Sequence, residues 1–296
     1  SEKNKIPINI DTVGCHGICY AGPIIDILYK GQPRIFWGNV TRDNVIKILD
    51  NYIKNDEVLT DNLLGTLGDR FIKGIKKIGD LPGMSLQNRI ALRNSGNIAF
   101  NDIYQYIANG GFEGLHKAVT KMSSDEVISE VKDSGLRGRG GAAFPTGLKW
   151  SFMANSKGVK YILCNCEEGD PGAYNDKGIL ESDPYTLIEG MAIAGYATKS
   201  TNGYVFIRHG HDGPIDRTKE AIQQAYDNGL LGNNIFGSDF SFDIEVSLTG
   251  DSYVAGEETA LMESVEGLSA RPRSRPPFPA AYGVWGSLNC RVGWIA

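Results

Sequence analysis

The sequence predicts an α/β protein with a mostly parallel sheet and helices on both faces, preceded by a small α/β unit. Three observations carry this expectation. Beyond residue 148, short apolar runs of strand length alternate with amphipathic stretches of helical length, the pattern of repeated strand–helix–strand units. One of those runs, Tyr161 to Cys164, ends in a turn-rich cluster of carboxylates, and another passes directly into a helix through Gly250 and Gly256. Finally, the first 60 residues show alternating apolar positions followed by a helical period.

In chain order, Ile6, Ile8 and Ile10 alternate as in a half-buried strand. Ile24 to Tyr29 and Arg34 to Val40 read as two further strands, joined by the turn-like Lys30-Gly31-Gln32-Pro33. Val45, Leu49 and Tyr52 recur at helical spacing, with Thr41 or Asp43 available as a cap. Residues 61–85, with scattered glycines and Leu81-Pro82-Gly83, read as a linker. Helices are predicted at Ile103 to Ile107, Gly114 to Lys121 and Ser124 to Lys132. The last carries Asp125 and Glu126 in its first turn, where negative charge suits the helix dipole. The alternating part then runs strand 160–164, helix 185–197, strand 203–208, helix 214–228, strand 242–248 and helix 257–266, with Pro214 at a helix start. The expected division is therefore 1–60, a linker 61–85, and a domain 86–296 with a helical lead-in (86–135) and a Rossmann-like core (136–296).

The chain has 296 residues, of which 41% are hydrophobic and 22% charged, enough apolar material for a substantial core. The net charge of −5, with no basic tract beyond short patches at Arg137–Arg139 and Arg271–Arg275, argues against nucleic acid as a partner. No apolar run approaches the roughly 20 residues a membrane helix needs, so direct membrane insertion is not expected. The N-terminus reads as neither a secretory signal nor a transit peptide, and it lacks an initiator Met, as in a processed or internal start. Five cysteines (15, 19, 164, 166 and 290) form no disulfide-rich pattern, which fits a reducing, cytoplasmic setting.

The strongest chemical signal is the run from Gly135 to Trp150, with Gly138, Gly140, Gly141 and Gly147 and the cations Arg137, Arg139 and Lys149. Glycines let a backbone approach an anion and aim its N–H groups at it. Gly138-x-Gly140-x-x-Ala143 fits a dinucleotide fingerprint formally, yet a helix precedes it where a strand should, and Leu148 stands where a P-loop needs Lys. Two readings remain, a phosphate-type loop of neither common kind and a tight turn between helices. The turn Asn165-Cys166-Glu167-Glu168-Gly169-Asp170-Pro171-Gly172 lies at a strand's carboxyl end, where open α/β sheets place ligands and where Asn and carboxylates can bond sugar hydroxyls. Cys164 and Cys166, two apart on that strand, share one face and read as buried thiols. Glu257 and Glu258 sit at a helix N-terminus, either as dipole partners or as acceptors of a ribose hydroxyl that would repel a 2′-phosphate. The Pro-rich stretch around Phe278 holds an aromatic in a rigid backbone, suited to stacking on a flat ring or simply to a surface connection.

In this order, Gly-Arg-Gly-Gly-x-x-Phe-Pro-Thr-Gly-x-Lys-Trp, Asn-x-x-Glu-x-x-Pro-Gly and Gly-Glu-Glu-Thr-Ala-Leu resemble the FMN- and NADH-binding flavoprotein subunit of complex I, of NAD-reducing hydrogenases and of formate dehydrogenases. The likeness runs from about Gln87 to Gly286. It implies hydride transfer from NADH to FMN and then one-electron transfer to iron–sulfur clusters of a larger assembly, with no catalytic side chain required. Carried over by position, Gly138, Arg139, Gly140, Gly141 and Lys149 would hold the flavin phosphate and ring. Asn165, Glu167 and Glu168 would bond its ribityl chain and edge, and Gly256 and Glu257 would line the same site. Phe144, Phe152 and Phe278 would stack around NAD(H), Glu258 would favour NADH over NADPH, and Asp170 stands where the family keeps an acid. The implied partners are a thioredoxin-like [2Fe–2S] subunit and an iron–sulfur relay subunit, in a soluble or peripheral arm.

Residues 12–23 resemble the second half of a thioredoxin-like [2Fe–2S] domain. Cys15 and Cys19 would then be half of a cluster site, completed by cysteines from elsewhere, or two thiols on a relic fold. Ala143 replaces the family's usual Gly, and Arg208-His209-Gly210-His211 replaces Arg-Gly-Glu-Tyr; the two histidines read as solvent-facing. After Trp285-Gly286 the pattern is lost and the family's [4Fe–4S] domain is absent, so the chain reads as truncated at both ends. Two further readings follow: a subunit that keeps the fold and docking role without flavin, and a two-cysteine redox adaptor built on the N-terminal unit.

Overall fold

The computed structural model describes residues 7–29, 31–70, 72–250, 252–279, 281–286 and 288–292, the last five as backbone alone. The chain forms two compact units, one of residues 15–90 and one that joins the segment up to Gly14 to everything from Ala91 onward.

In the smaller unit, β1 (Ile25–Ile27), β2 (Arg34–Trp37) and β3 (Leu63–Leu67) make an antiparallel sheet in the order β1-β2-β3. Between β2 and β3 lies α1 (Arg42–Leu49), which runs on into one π-helical turn at Asp50–Lys54. Thr41 starts α1 through a capping box: its hydroxyl accepts the Asn44 amide, and Asn44 Oδ1 accepts the Thr41 amide. Ile35, Trp37, Ile48 and Tyr52 form the core of this unit, and Trp37 Nε1 donates to the Leu59 carbonyl (2.9 Å). The expected linker thus contains a strand. Gly65 suggests a loop in the sequence, but it lies where another backbone comes close: a Cβ there would be 2.6 Å from the Lys76 carbonyl oxygen.

The N-terminal alternation does not become a strand. Ile6 lies outside the described residues, Ile8 and Ile10 belong to no strand, and Ile10 is 88% exposed. Alternation alone supplies no partner for the backbone N–H and C=O groups; among the described residues of this segment, Val13 bridges to Ala99.

The larger unit opens with α2 (Ile103–Ala108), α3 (Glu113–Lys121), α4 (Ser124–Asp133) and α5 (Thr146–Ala154). Ser123 and Glu126 close a capping box on α4. Then follow β4 (Lys160–Cys166), α6 (Asp176–Ser182), α7 (Pro184–Thr198), β5 (Asn202–Arg208), α8 (Asp212–Asp227), β6 (Asp243–Thr249), α9 (Glu258–Val265) and β7 (Leu288–Val292). The four strands are parallel in the order β6-β5-β4-β7. Succession runs outward from β4 through β5 to β6, then returns to the far side of β4. Such a reversal opens a crevice at the strands' carboxyl ends.

Strand parity sends Ile162, Cys164 and Cys166 into the main core with α3, α4, α7 and α8, while Leu163 and Phe206 face α9 with Leu261 and Met262. Helices therefore cover both faces, as expected. The central helix α7 is buried almost all round. From it the Glu189 carboxylate accepts the Tyr106 hydroxyl (2.6 Å) and the amides of Phe112 (2.8 Å) and Leu115 (3.1 Å), which fixes the start of α3. No helix among the described residues is long and apolar enough to cross a membrane.

Candidate functional site

The glycine run forms a closed loop that feeds a helix. The Thr146 amide donates to the Leu136 carbonyl and the Gly138 amide to the Phe144 carbonyl, each at 2.9 Å, so the loop is pinched at its base. Its tip is open: a Cβ built on Gly140 or Gly141 meets nothing within 4 Å, leaving the backbone approachable. Gly141 has φ +100, and Ala143 has φ +49, a left-handed conformation that favours glycine. The helix after the loop, α5, has no counterpart among the sequence expectations. Gly147 is its contact glycine: a Cβ there would be 2.6 Å from the Lys132 amide nitrogen, so α5 can lie close on α4 only without a side chain. One turn into α5 stands Lys149, whose Nζ lies 3.2 Å from Glu258 Oε1.

Two carboxylate corners lie at the ends of the sheet strands, and the second meets Lys149. At the end of β4, Asn165 donates from Nδ2 to the Gly256 carbonyl (3.2 Å) and accepts the Glu167 amide at Oδ1 (3.3 Å). Glu167 is paired with Arg208 at the end of β5 (2.7 Å). Glu168 turns the other way. It is 8% exposed and accepts the amides of Asn175 (2.5 Å), Asp176 (3.1 Å) and Lys177 (3.0 Å), which makes it the acceptor for the start of α6.

At the second corner, Glu257 caps α9 by accepting the amides of Thr259 (2.9 Å) and Ala260 (3.0 Å) and the Thr259 hydroxyl (2.5 Å). Burial opposes its charge. The Thr259 hydroxyl, the Ala260 and Thr259 amides and Arg275 outweigh that and hold the carboxyl below the usual glutamate range. Arg275 pairs with Glu257 and lies 3.6 Å from Glu258 Oε2. Gly256 joins the two corners: a Cβ there would stand 2.9 Å from Glu167 Oε2, so a larger residue would have to push that carboxylate aside.

The expected residues Gly256, Glu257, Glu258, Lys149, Asn165 and Glu167 therefore form one connected set. Asp170 lies at its margin and accepts the exposed Tyr253 hydroxyl (2.5 Å), which pushes that phenol's pKa up. Phe144, Phe152 and Phe278 are exposed, and among the described residues none makes a ring contact with another.

Sequence reasoning missed Arg275 and Arg208 as members of this cluster. The basic patch at 271–275 was visible, but its ion pairs depend on where a Pro-rich loop returns. That loop is tied to α9 by Arg273, which bonds Glu263, Glu266 (2.7 Å) and the Gly283 carbonyl (3.1 Å). The two histidines divide. His209 is exposed, as expected. His211 is half-buried, a correction, with a buried Nδ1 that has no hydrogen-bond partner among the described residues. Burial lowers its pKa, and Lys177 and Arg208 add to that against Glu168 and Glu167. Cys164 and Cys166 are buried with sulfurs 3.6 Å apart, and burial, followed by Cys164, raises the Cys166 thiol. Cys15 and Cys19, in the smaller unit, are exposed with sulfurs 3.8 Å apart. Among the described residues no group of three or more His, Cys, Asp or Glu could hold a metal ion.

Comparison with known proteins places these features in context. The model of the Nuo51 FMN-binding domain matches residues 131–292. The chain is 51% identical over 200 residues to the NADP-reducing hydrogenase subunit HndC of Solidesulfovibrio fructosivorans, covering 67% of this chain and 40% of that one. It is 47% identical over 188 residues to a subunit of the NADH-quinone oxidoreductase of Salmonella typhimurium, covering 63% and 42%. Among solved structures, a NAD+-reducing [NiFe]-hydrogenase in the H2-reduced state aligns with a TM-score of 0.54 at 25% identity, over 87% of this chain and 39% of the other. The chain thus spans about two fifths of the length of these curated relatives.

Proposed function

The chain belongs to the family of the Nuo51 FMN-binding domain, and from that premise we propose that it binds FMN and oxidises NADH within a complex I-like, hydrogenase or formate dehydrogenase assembly. The observation that carries this reading is the linkage of Lys149 to Glu258 and of Asn165 to Gly256, each at 3.2 Å, together with the open Gly140–Gly141 tip of the loop that leads into α5.

The donor set suits the ligand. Approachable backbone at Gly140–Gly141, Arg139 and the Lys149 ammonium suit a phosphate at the start of α5, with Gly138 closing the loop's base. Asn165 and Glu167 suit ribityl hydroxyls, since amide and carboxylate can both accept from them. When bound, the flavin supplies hydride acceptance and single-electron release. The protein's part is to bind and orient. Gly256 keeps the two corners close, and the loop around Phe278, fixed to α9 by Arg273, offers an aromatic face for a nicotinamide nucleotide. Glu258, beside Lys149 at the second corner, is the carboxylate that would accept a ribose hydroxyl, which favours NADH. Glu168 and Glu257 act from behind by holding α6 and α9. Onward electrons would pass to a thioredoxin-like [2Fe–2S] subunit and an iron–sulfur relay subunit, in a cytoplasmic arm.

The test is anaerobic addition of NADH to FMN-reconstituted protein. Bleaching of the flavin absorbance is expected. Protein that takes up FMN and stays yellow would refute the activity, and protein that takes up none would favour a subunit retaining only the docking role.

A further inference from the structure

We propose that Arg273 is a positioning residue for the nicotinamide nucleotide, acting through Phe278 and setting dinucleotide affinity apart from FMN affinity, which rests on the functional reading above. Its guanidinium has a partner on each nitrogen. Nε bonds Glu263, Nη2 bonds Glu266 (2.7 Å) and Nη1 donates to the Gly283 carbonyl (3.1 Å). Glu266 also accepts the Trp285 amide (2.8 Å), and the Tyr282 ring centroid lies 5.9 Å from Arg273 Cζ. Glu263 is in α9 and Glu266 is its C-cap. Arg273 stands on the outgoing leg of the Pro-rich loop, and Gly283 and Trp285 stand on its returning leg. One side chain therefore ties both legs to one helix, with Phe278 midway between Arg273 and Gly283.

Phe278 depends on those legs. Its side of the loop is a local turn, in which the Phe278 carbonyl accepts the Ala281 (2.8 Å) and Tyr282 (3.0 Å) amides, and the residue is 62% exposed. Arg275 is a weaker tie in the same segment. Its side chain is 36% exposed against 20% for Arg273, and it pairs with Glu257 and Glu258. A partly exposed ion pair contributes little. The planar fork of Arg273, matched to two carboxylates and a carbonyl, fixes a direction as well as a distance.

Substitution at Arg273 separates the two ligands. Its backbone amide donates to the Thr259 hydroxyl (2.8 Å), and that hydroxyl donates to Glu257 (2.5 Å). Both bonds survive a change of side chain, so the cap of α9 and the corner at Gly256 and Glu257 are kept. What is lost is preorganisation: a loop released from α9 has to be ordered when the dinucleotide binds, and that ordering weakens the binding.

FMN-reconstituted protein is titrated with NAD+ by calorimetry, and apoprotein is titrated with FMN by fluorescence quenching. R273Q should weaken NAD+ binding about 10-fold and leave the FMN dissociation constant within about 2-fold of native. E263Q, which keeps the Glu266 and Gly283 contacts, should weaken NAD+ less, in the same direction. R273K should recover little of the loss, because a lysine ammonium cannot span the fork. In an F278A background R273Q should add no further loss, since both changes act through one ring. The proposal alone is overturned if native protein and R273Q bind NAD+ equally, if R273Q weakens FMN as much as NAD+, or if the R273Q and F278A losses add in full. Native FMN-loaded protein that binds no NAD+ overturns it together with the functional reading.

Discussion

The two Glu-Glu corners of the large unit look alike in sequence and divide their work in opposite order. At the first, Glu167 pairs with Arg208 beside the site while Glu168 accepts three amides at the start of α6. At the second, the leading residue, Glu257, caps α9, and Glu258 faces Lys149 and Arg275. Each helix start leaves backbone N–H groups without intrahelical partners, and each corner commits one carboxylate to them. Which member is committed depends on where the helix begins. Since α9 starts at Glu258, the residue before it is the cap. The start of α6 lies several residues past Glu168, whose side chain reaches back to it. Glu168 and Glu257 therefore hold helix starts, while Glu167 pairs with Arg208 and Glu258 with Lys149.

Substitutions can break this comparison. The largest stability loss is expected at Glu168, where E168A leaves three amides of a part-buried helix start without an acceptor. A destabilisation of roughly 3 kcal/mol should appear in urea denaturation. A loss below about 1 kcal/mol would show that the first corner does not depend on its cap. K149A should act on binding instead: FMN affinity weakened about 10- to 100-fold by titration calorimetry, with stability changed by less than about 1 kcal/mol because the Lys149–Glu258 pair is partly exposed.

E257A should cost about 1–2 kcal/mol through the lost cap, and it carries a pH signature. Glu257 is held below its ordinary value when folded, so near that value the unfolded chain binds more protons than the folded one. Its contribution is complete above about pH 4.3 and is lost as pH falls through the lowered pKa. The acid limb of stability against pH should therefore be shallower in E257Q than in the native protein. E258Q, by contrast, should raise KM for NADH. The smallest effect is expected at Ala143. A143G relieves a left-handed alanine of about 1–2 kcal/mol, offset by about 0.4–1 kcal/mol of unfolded-chain entropy, for a net gain of about 0.5 kcal/mol in thermal unfolding.

Most of the large unit was legible because its signals are local. Ser123 with Glu126 marks the start of α4, and parity on β4 places Cys164 and Cys166 on one buried face. The illegible elements are those whose signal lies in a partner. β3 hides behind Gly65, whose role is visible only beside Lys76, and the N-terminal isoleucines alternate convincingly with no strand to pair with. In α5, a Gly-Pro-rich entry masks a helix that Gly147 seats against Lys132.

By itself the sequence determined the alternating parallel architecture and the glycine loop, since periodicity and turn chemistry are properties of neighbouring positions. Only the tertiary structure decided which glutamate of each pair holds a helix start, and that Arg275 and Arg208 join them. Those assignments rest on contacts across 91 residues between Asn165 and Gly256 and 109 between Lys149 and Glu258. No local preference encodes such pairings; they follow from where the packed sheet and its helices bring distant segments together.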